Sequence, residues 1–230
     1  MMTGFSNFIQ VAGIIDPAEA EMLINCGVNY LGFPLRLPVN KEDCTEEEAA
    51  SIIAQTKDRV KSVAITYLNH VNEIIEFCKK LNVEIIQLHG DISIDELRKL
   101  KTLAPELSII KSLVMRGGNI GELENIVSST QKYVDAFITD TFDPSTGASG
   151  ATGKIHDWKL SKRLVQLSNK PVILAGGINH LNVYDAMMEV KPAGVDTHTG
   201  VEGIDGRKEF NKVKKFVEEA KRAFITINTI

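Results

Sequence analysis

The stretch that decides the fold is Pro171–Gly203, PVILAGGINHLNVYDAMMEVKPAGVDTHTGVEG. It opens on an apolar run, Pro171 to Ala175, that breaks at Gly176-Gly177. A helical pattern follows, then a second apolar run, then a small-residue turn at Thr199-Gly200. Two short strands, each ending in a turn with unpaired backbone N–H groups and joined through a helix, form a cradle for phosphate. In a closed eight-stranded α/β barrel that cradle follows the seventh and eighth strands, and a short extra helix aims its N-terminus at the anion. Six more β-α units should therefore precede Pro171.

They can be read in order. Phe8 to Ala12 is a short apolar strand closed by Gly13, and Asp16-Pro17 caps a helix over 18–25. Tyr30 to Pro34 is the second strand, followed by a loop carrying Arg36, Pro38 and Lys41, and Thr45 to Glu48 is a capping box. The third strand spans Lys61 to Tyr67, with Asn69 capping a helix to Leu81. Glu84 to Gly90 is the fourth strand, and Ser93 with Glu96 has the spacing of a second capping box. Ser108 to Met115, then Asp135 to Asp140, are the fifth and sixth. A glycine-rich loop runs from Thr141 to Gly153, a helix spans about Trp158 to Leu167, and an amphipathic helix over Arg207 to Phe224 ends the series. Strict alternation predicts a parallel sheet with helices outside. The glycine-rich loop that an open doubly wound sheet carries after its first strand is missing. The expected fold is one (β/α)8 TIM barrel over residues 1–230.

Composition agrees with one soluble domain. The chain has 230 residues, of which 43% are hydrophobic and 24% charged, and carries a net charge of −4. No basic tract suggests nucleic acid or an anionic membrane as partner. The N-terminus lacks a secretory pattern and no apolar run is long enough to span a bilayer, so the expected location is cytoplasmic. Cys26, Cys44 and Cys78 are widely spaced and in no metal-ligand pattern, so they read as small apolar residues and no metal site is expected.

Reacting groups of such a barrel sit at the C-terminal ends of the strands. Those positions are Ala12, Pro34, Thr66 or Tyr67, Gln87 with His89, Met115 or Arg116, Asp140, Gly176-Gly177, and Asp196 with His198. Alternation along a strand turns Gln10 and Ala12 the same way, and likewise Gln87 and His89. Asp140 and Asp196 thus both face the mouth. Read alone, Asp140 is equally a strand-ending turn residue.

Several motifs now combine: QLHG at 87–90, Asp140-Thr141, Gly150 to Gly153, Asp157-Trp158, LAGG-INH, and GVDTHTGVEG. In this order, across nearly the whole chain, the set resembles phosphoribosylanthranilate isomerase of tryptophan biosynthesis. The resemblance implies an aldose-to-ketose (Amadori) rearrangement of an N-phosphoribosyl arylamine, with no metal or organic cofactor. It implies Asp140 as the ring-opening acid, phosphate on Gly153, Gly176, Gly177, Thr199 and Gly200, His89 at the substrate, and the loop from Asp143 to Gly153 as a lid. The implied partner is a phosphorylated, phosphoribosyl small molecule, with no nucleic acid or membrane, acting in a monomer or homodimer.

Three departures matter. The family's first strand reads Lys-Ile-Cys-Gly with the cysteine as general base; this chain has Gln10-Val-Ala-Gly13, and Ala12 has nothing to titrate. A positioned base is worth about 10²–10⁴-fold in rate. The Ser-Pro-Arg that meets the anthranilate carboxylate is replaced, leaving Arg36 as the candidate and Lys41 as its rival. The Ser-Ser-Gly after the last strand is His198-Thr-Gly200, which makes His198 the candidate base, its reference pKa lying near neutral. Three readings stand: an isomerase with a substituted base, a related enzyme on another phosphorylated sugar, and a non-catalytic phosphosugar binder.

Overall fold

The computed structural model describes residues 4–39, 41–143, 148–149 and 157–229. Eight parallel strands close on themselves: β1 (Phe8–Ala12), β2 (Tyr30–Pro34), β3 (Lys61–Thr66), β4 (Ile85–Leu88), β5 (Ser108–Met115), β6 (Ala136–Asp143), β8 (Val172–Leu174) and β9 (Gly194–Thr197). Neighbours follow chain order around the ring, and β1 meets β9 with Gln10 opposite Asp196. The expected seventh and eighth strands are thus β8 and β9. The remaining strand, β7 (Ala148–Ser149), pairs antiparallel with Phe142 and Asp143. The barrel strand β6 therefore runs past Asp140 into a hairpin where a loop is expected from Thr141; the parts of the expected lid at 144–147 and 150–153, Gly153 included, lie outside the described residues.

The helices are α1 (Pro17–Cys26), α2 (Glu46–Thr56), α3 (Val71–Leu81), α4 (Ile94–Leu103), α5 (Ile120–Thr130), α6 (Trp158–Leu167), α7 (Val183–Val190) and α8 (Phe210–Thr229). Asp16 accepts from the Glu19 N–H with Pro17 at the first turn, and Thr45 with Glu48 forms the complete capping box. Two expected caps differ. Helix α3 is preceded by His70, not Asn69, and His70 makes no side-chain cap. Ser93 does cap α4, but the Glu96 carboxylate reaches across to the Val71 N–H at 2.8 Å instead of closing a box. It thereby satisfies an orphan amide at the start of the neighbouring helix. Among the described residues, no helix is long and apolar enough to cross a membrane.

Alternation along the strands divides the core in two. Outward residues such as Val11, Leu31, Phe33, Ile86 and Phe137 pack under the helices. Inward residues fill the barrel, with Phe8, Tyr30, Val63, Ile85, Ile110 and Ala136 among its apolar members. Phe8 and Tyr30 stack at 3.9 Å between centroids, and Gly194 leaves Phe8 its room: a Cβ there would stand 2.4 Å from the Phe8 Cβ. Above them lies a polar layer, in which Gln10 Nε2 donates to Gln87 Oε1 at 3.4 Å and Gln87 Nε2 to Ser112 Oγ at 3.3 Å. Layers of inward side chains make the interior solid, and the strand-end side chains gather at the top.

Candidate active site

The open end of the barrel holds a cavity of about 370 Å³. Its floor and walls include Ala12, Pro34, Ile65, Tyr67, Gln87, His89, Asp140, Asp196, His198 and Thr199. Most of the strand-end residues singled out in the sequence converge here. The exceptions are Gly176-Gly177, which do not line it, and β5, where Met115 is buried and Arg116 lines a separate hollow of about 150 Å³ beside Lys111. His89 is buried, packed at 58° against Tyr67 with 4.9 Å between ring centroids.

Asp140 ends the inward series Ala136, Ile138, Asp140 on β6, so the strand's period places it at the cavity. Its Oδ1 accepts the Thr141 N–H at 2.7 Å. Burial raises its pKa to about 7; that hydrogen bond opposes the rise and the nearby Asp196 charge adds to it. Asp196 is pushed up to about 6, again by burial, opposed by hydrogen bonding from Gln10 and by the charges of His198 and Lys208. One of its oxygens, Oδ1, is buried and has no hydrogen-bond partner.

His198 stands over the end of β1. A Cβ on Gly13, where φ is 77°, would lie 2.1 Å from His198 Nε2, so the ring tip rests on bare backbone. Nε2 is 3.5 Å from Asp43 Oδ1 and 3.5 Å from Glu202 Oε1. Glu202 in turn is held at 2.7 Å by Lys208, whose side chain is fully buried. Burial raises the Asp43 pKa, but the hydrogen bond and charge of His198, with Lys208, bring it below the ordinary carboxylate value. The imidazole nitrogen at the cavity side is therefore occupied by two carboxylates.

The expected phosphate side consists of two touching turns. Gly176 and Gly177 follow β8 with φ of 92° and 71°, a conformation glycine adopts without strain. After β9 comes a 3₁₀ turn, Thr199–Val201, in which a Cβ at Gly200 would meet the Ile178 carbonyl at 2.1 Å. Thr197 Oγ1 donates to that same carbonyl at 2.7 Å and locks the turns together. Thr199 lines the cavity itself; Gly176, Gly177 and Gly200 do not.

Arg36 does not line the cavity. Its Nε lies 2.7 Å from Glu46 Oε1, a second bond at 3.2 Å joins the same carboxylate, and its guanidinium stacks 4.6 Å from the Phe77 ring. The Arg36 hydrogen bond is the main reason that Glu46 titrates down at about 2. Among the described residues the cavity lining carries Lys41 and His198 against Asp43, Asp140, Asp196 and Glu202. Asp43 and Glu202 escaped the sequence reading because both lie in loops beyond the strand ends, where strand period gives no direction. The cysteines stay out of the chemistry: burial raises the thiols of Cys44 and Cys78 to about 12.

Comparison with known proteins agrees with this layout. The family model described as N-(5'-phosphoribosyl)anthranilate (PRA) isomerase matches residues 9–219. N-(5'-phosphoribosyl)anthranilate isomerase 2 of Methanosarcina mazei is 32% identical over 96% of this chain and 97% of its own. Phosphoribosyl anthranilate isomerase from Thermotoga maritima superposes with a TM-score of 0.78 at 24% identity, covering 94% of this chain and 99% of that one. A phosphoribosyl anthranilate isomerase in complex with reduced 1-(o-carboxyphenylamino)-1-deoxyribulose 5-phosphate superposes at 0.76 with 22% identity over 94% and 99%. Fold, order of motifs and full-length similarity converge: this chain belongs to the N-(5'-phosphoribosyl)anthranilate isomerase family.

Proposed function

We propose that this protein catalyses the Amadori isomerisation of an N-phosphoribosyl arylamine, with phosphoribosylanthranilate as the substrate and Asp140 as the acid. The observation that carries the reading is Asp140 itself, a carboxyl at the cavity whose proton is retained up to about pH 7. A carboxylic acid kept protonated near neutrality can donate in the transition state. Its proton passes to the ring oxygen as the bond from that oxygen to C1 breaks, and the amine lone pair forms the C=N bond. A base then removes the C2 proton, the electrons closing a C1=C2 double bond. Ketonisation moves the C2 hydroxyl proton to C1. The phosphate rests on the backbone at Gly176, Gly177, Thr199 and Gly200, with Gly153 as a further contact, and His89 borders the sugar. The protein works as a monomer or a homodimer; among the structural relatives, the Thermotoga maritima enzyme is described as dimeric.

The test is conversion of purified phosphoribosylanthranilate, followed chromatographically, by the unaltered protein and by Asp140→Asn. Turnover lost by at least about 100-fold in the variant supports the assignment; equal turnover in both removes Asp140 from the reaction.

One observation favours a second substrate. The described cavity lining holds no arginine, Arg36 is committed to Glu46, and four carboxylates face inward. Such a lining suits a phosphoribosyl amine whose ring bears no carboxylate better than one that does. Comparing kcat/KM for the N-phosphoribosyl conjugates of anthranilate and of aniline decides between them, a ratio above one favouring anthranilate.

A further inference from the structure

With alanine at position 12, the C2 proton needs another acceptor, and the polar interior of the barrel offers one. We propose that the Asp196 carboxylate is the general base that removes the C2 proton; this rests on the isomerase reading above. Asp196 lies on the inward face of β9, directly across the ladder from Gln10. Ala12 is the next inward residue of β1, and its methyl leaves the space above that pair to the substrate. Both Ala12 and Asp196 line the cavity that contains Asp140. Gln10, opposite the carboxyl and acting to favour its ionised form, is itself fixed through Gln87 to Ser112, a buried polar chain across the barrel. The Asp196 Oδ1 is buried and accepts no hydrogen bond. A buried carboxylate oxygen without a donor is costly to maintain, and such atoms have an explanation in what they do.

The rival base is His198, but its Nε2 is turned to Asp43 and Glu202 and its ring tip sits on Gly13. That arrangement leaves it beside Asp196, whose ionised form it and Lys208 both favour. Asp140 and Asp196 stand on strands separated only by β8, and the charge of Asp196 helps to raise Asp140. Two coupled carboxyls share protons as a pair, and near neutrality the pair can hold one. That state supplies one acid and one base. Asp140 gives its proton to the ring oxygen as the C1–O bond breaks, and Asp196 then takes the C2 proton of the opened sugar as the C=N electrons return to nitrogen, so the pair again holds one proton after enolisation.

The experiment uses the full chain and substrate deuterated at C2. Asp196→Asn should lower kcat by about 10²–10⁴-fold, with KM within about threefold and an undiminished melting temperature. Asp196→Glu, which keeps the carboxylate but displaces it, should show a larger C2-deuterium isotope effect on kcat than the parent, because proton removal becomes the slow step. A residue that only supports the fold would lower kcat without moving that isotope effect. An Asp196→Asn variant within threefold of the parent kcat, or an Asp196→Glu variant slowed without any increase in isotope effect, overturns the proposal while the isomerase reading stands. Absence of turnover in the unaltered protein overturns both.

Discussion

Asp140→Asn should make this protein more stable at pH 8 while stopping its turnover. Each tenfold change in proton affinity corresponds to about 1.4 kcal/mol. The Asp140 carboxyl titrates at about 7 in the fold against an ordinary value of 3.8. Below the ordinary value both folded and unfolded chains keep the proton and the group costs nothing. Between the two values the unfolded chain releases it while the folded chain keeps it, and stability falls. Above about 7 the full cost applies, about 4 kcal/mol. Asparagine is nearly isosteric, carries no charge and can still accept the Thr141 N–H that now reaches Oδ1 at 2.7 Å. For a chain of this size 1 kcal/mol corresponds to about 2–4 °C, and the melting point at pH 8 should rise by roughly 8–16 °C. At pH 4 the increment should nearly vanish. Thermal melts by circular dichroism at both pH values, with urea titrations beside them, measure it. An unchanged or lower midpoint at pH 8, or the same increment at both, would refute the argument that burial of this carboxyl is what sets its acidity.

Two further outcomes follow from the same geometry. Arg36→Ala should leave KM for phosphoribosylanthranilate within about threefold and cost on the order of 1 kcal/mol of stability, because the side chain serves Glu46 and Phe77; a tenfold rise in KM without loss of stability would put the guanidinium at the substrate. Lys208→Met should be much more damaging, on the order of 3 kcal/mol or a melting point lower by roughly 6–12 °C, since it strands the Glu202 carboxylate beside Asp43. A urea midpoint equal to the parent's would count against that buried pair as a support of the mouth.

The sequence carried the barrel because period and punctuation are local signals. Gly194 to Thr197 could be bounded to the residue, and the inward direction of Asp140 and Asp196 followed from counting by twos. Side-chain destinations across elements were not legible. Glu96 has the spacing of a capping-box residue, yet its carboxylate finds a free amide on the next helix. Arg36 sits in the loop where a substrate grip was expected, but a bidentate carboxylate and an aromatic face compete for it within reach. Asp43 and Glu202 meet at His198 from loops on opposite sides of the ring seam, a proximity no spacing rule encodes. The acidity of Asp140 is likewise a property of burial, which a string of residues does not display.

The Glu19 carboxylate bears on how the chain is made. Helix α1 carries it, and its two oxygens accept the N–H groups of Ile15 at 2.9 Å and of Lys208 at 2.8 Å, the latter 189 residues away. Asp16 next to it takes Arg207 at 2.6 Å, and β1 lies against β9. The first strand thus keeps one edge unpaired until residues 194–197 have left the ribosome. At about 5–20 residues per second that interval is roughly 10–40 s. During it, Phe8, Val11 and Ile14 have no final burial, and the nascent protein presents an apolar edge strand to its surroundings. Chaperone capture should therefore end only when residues 194–208 emerge and close the ring.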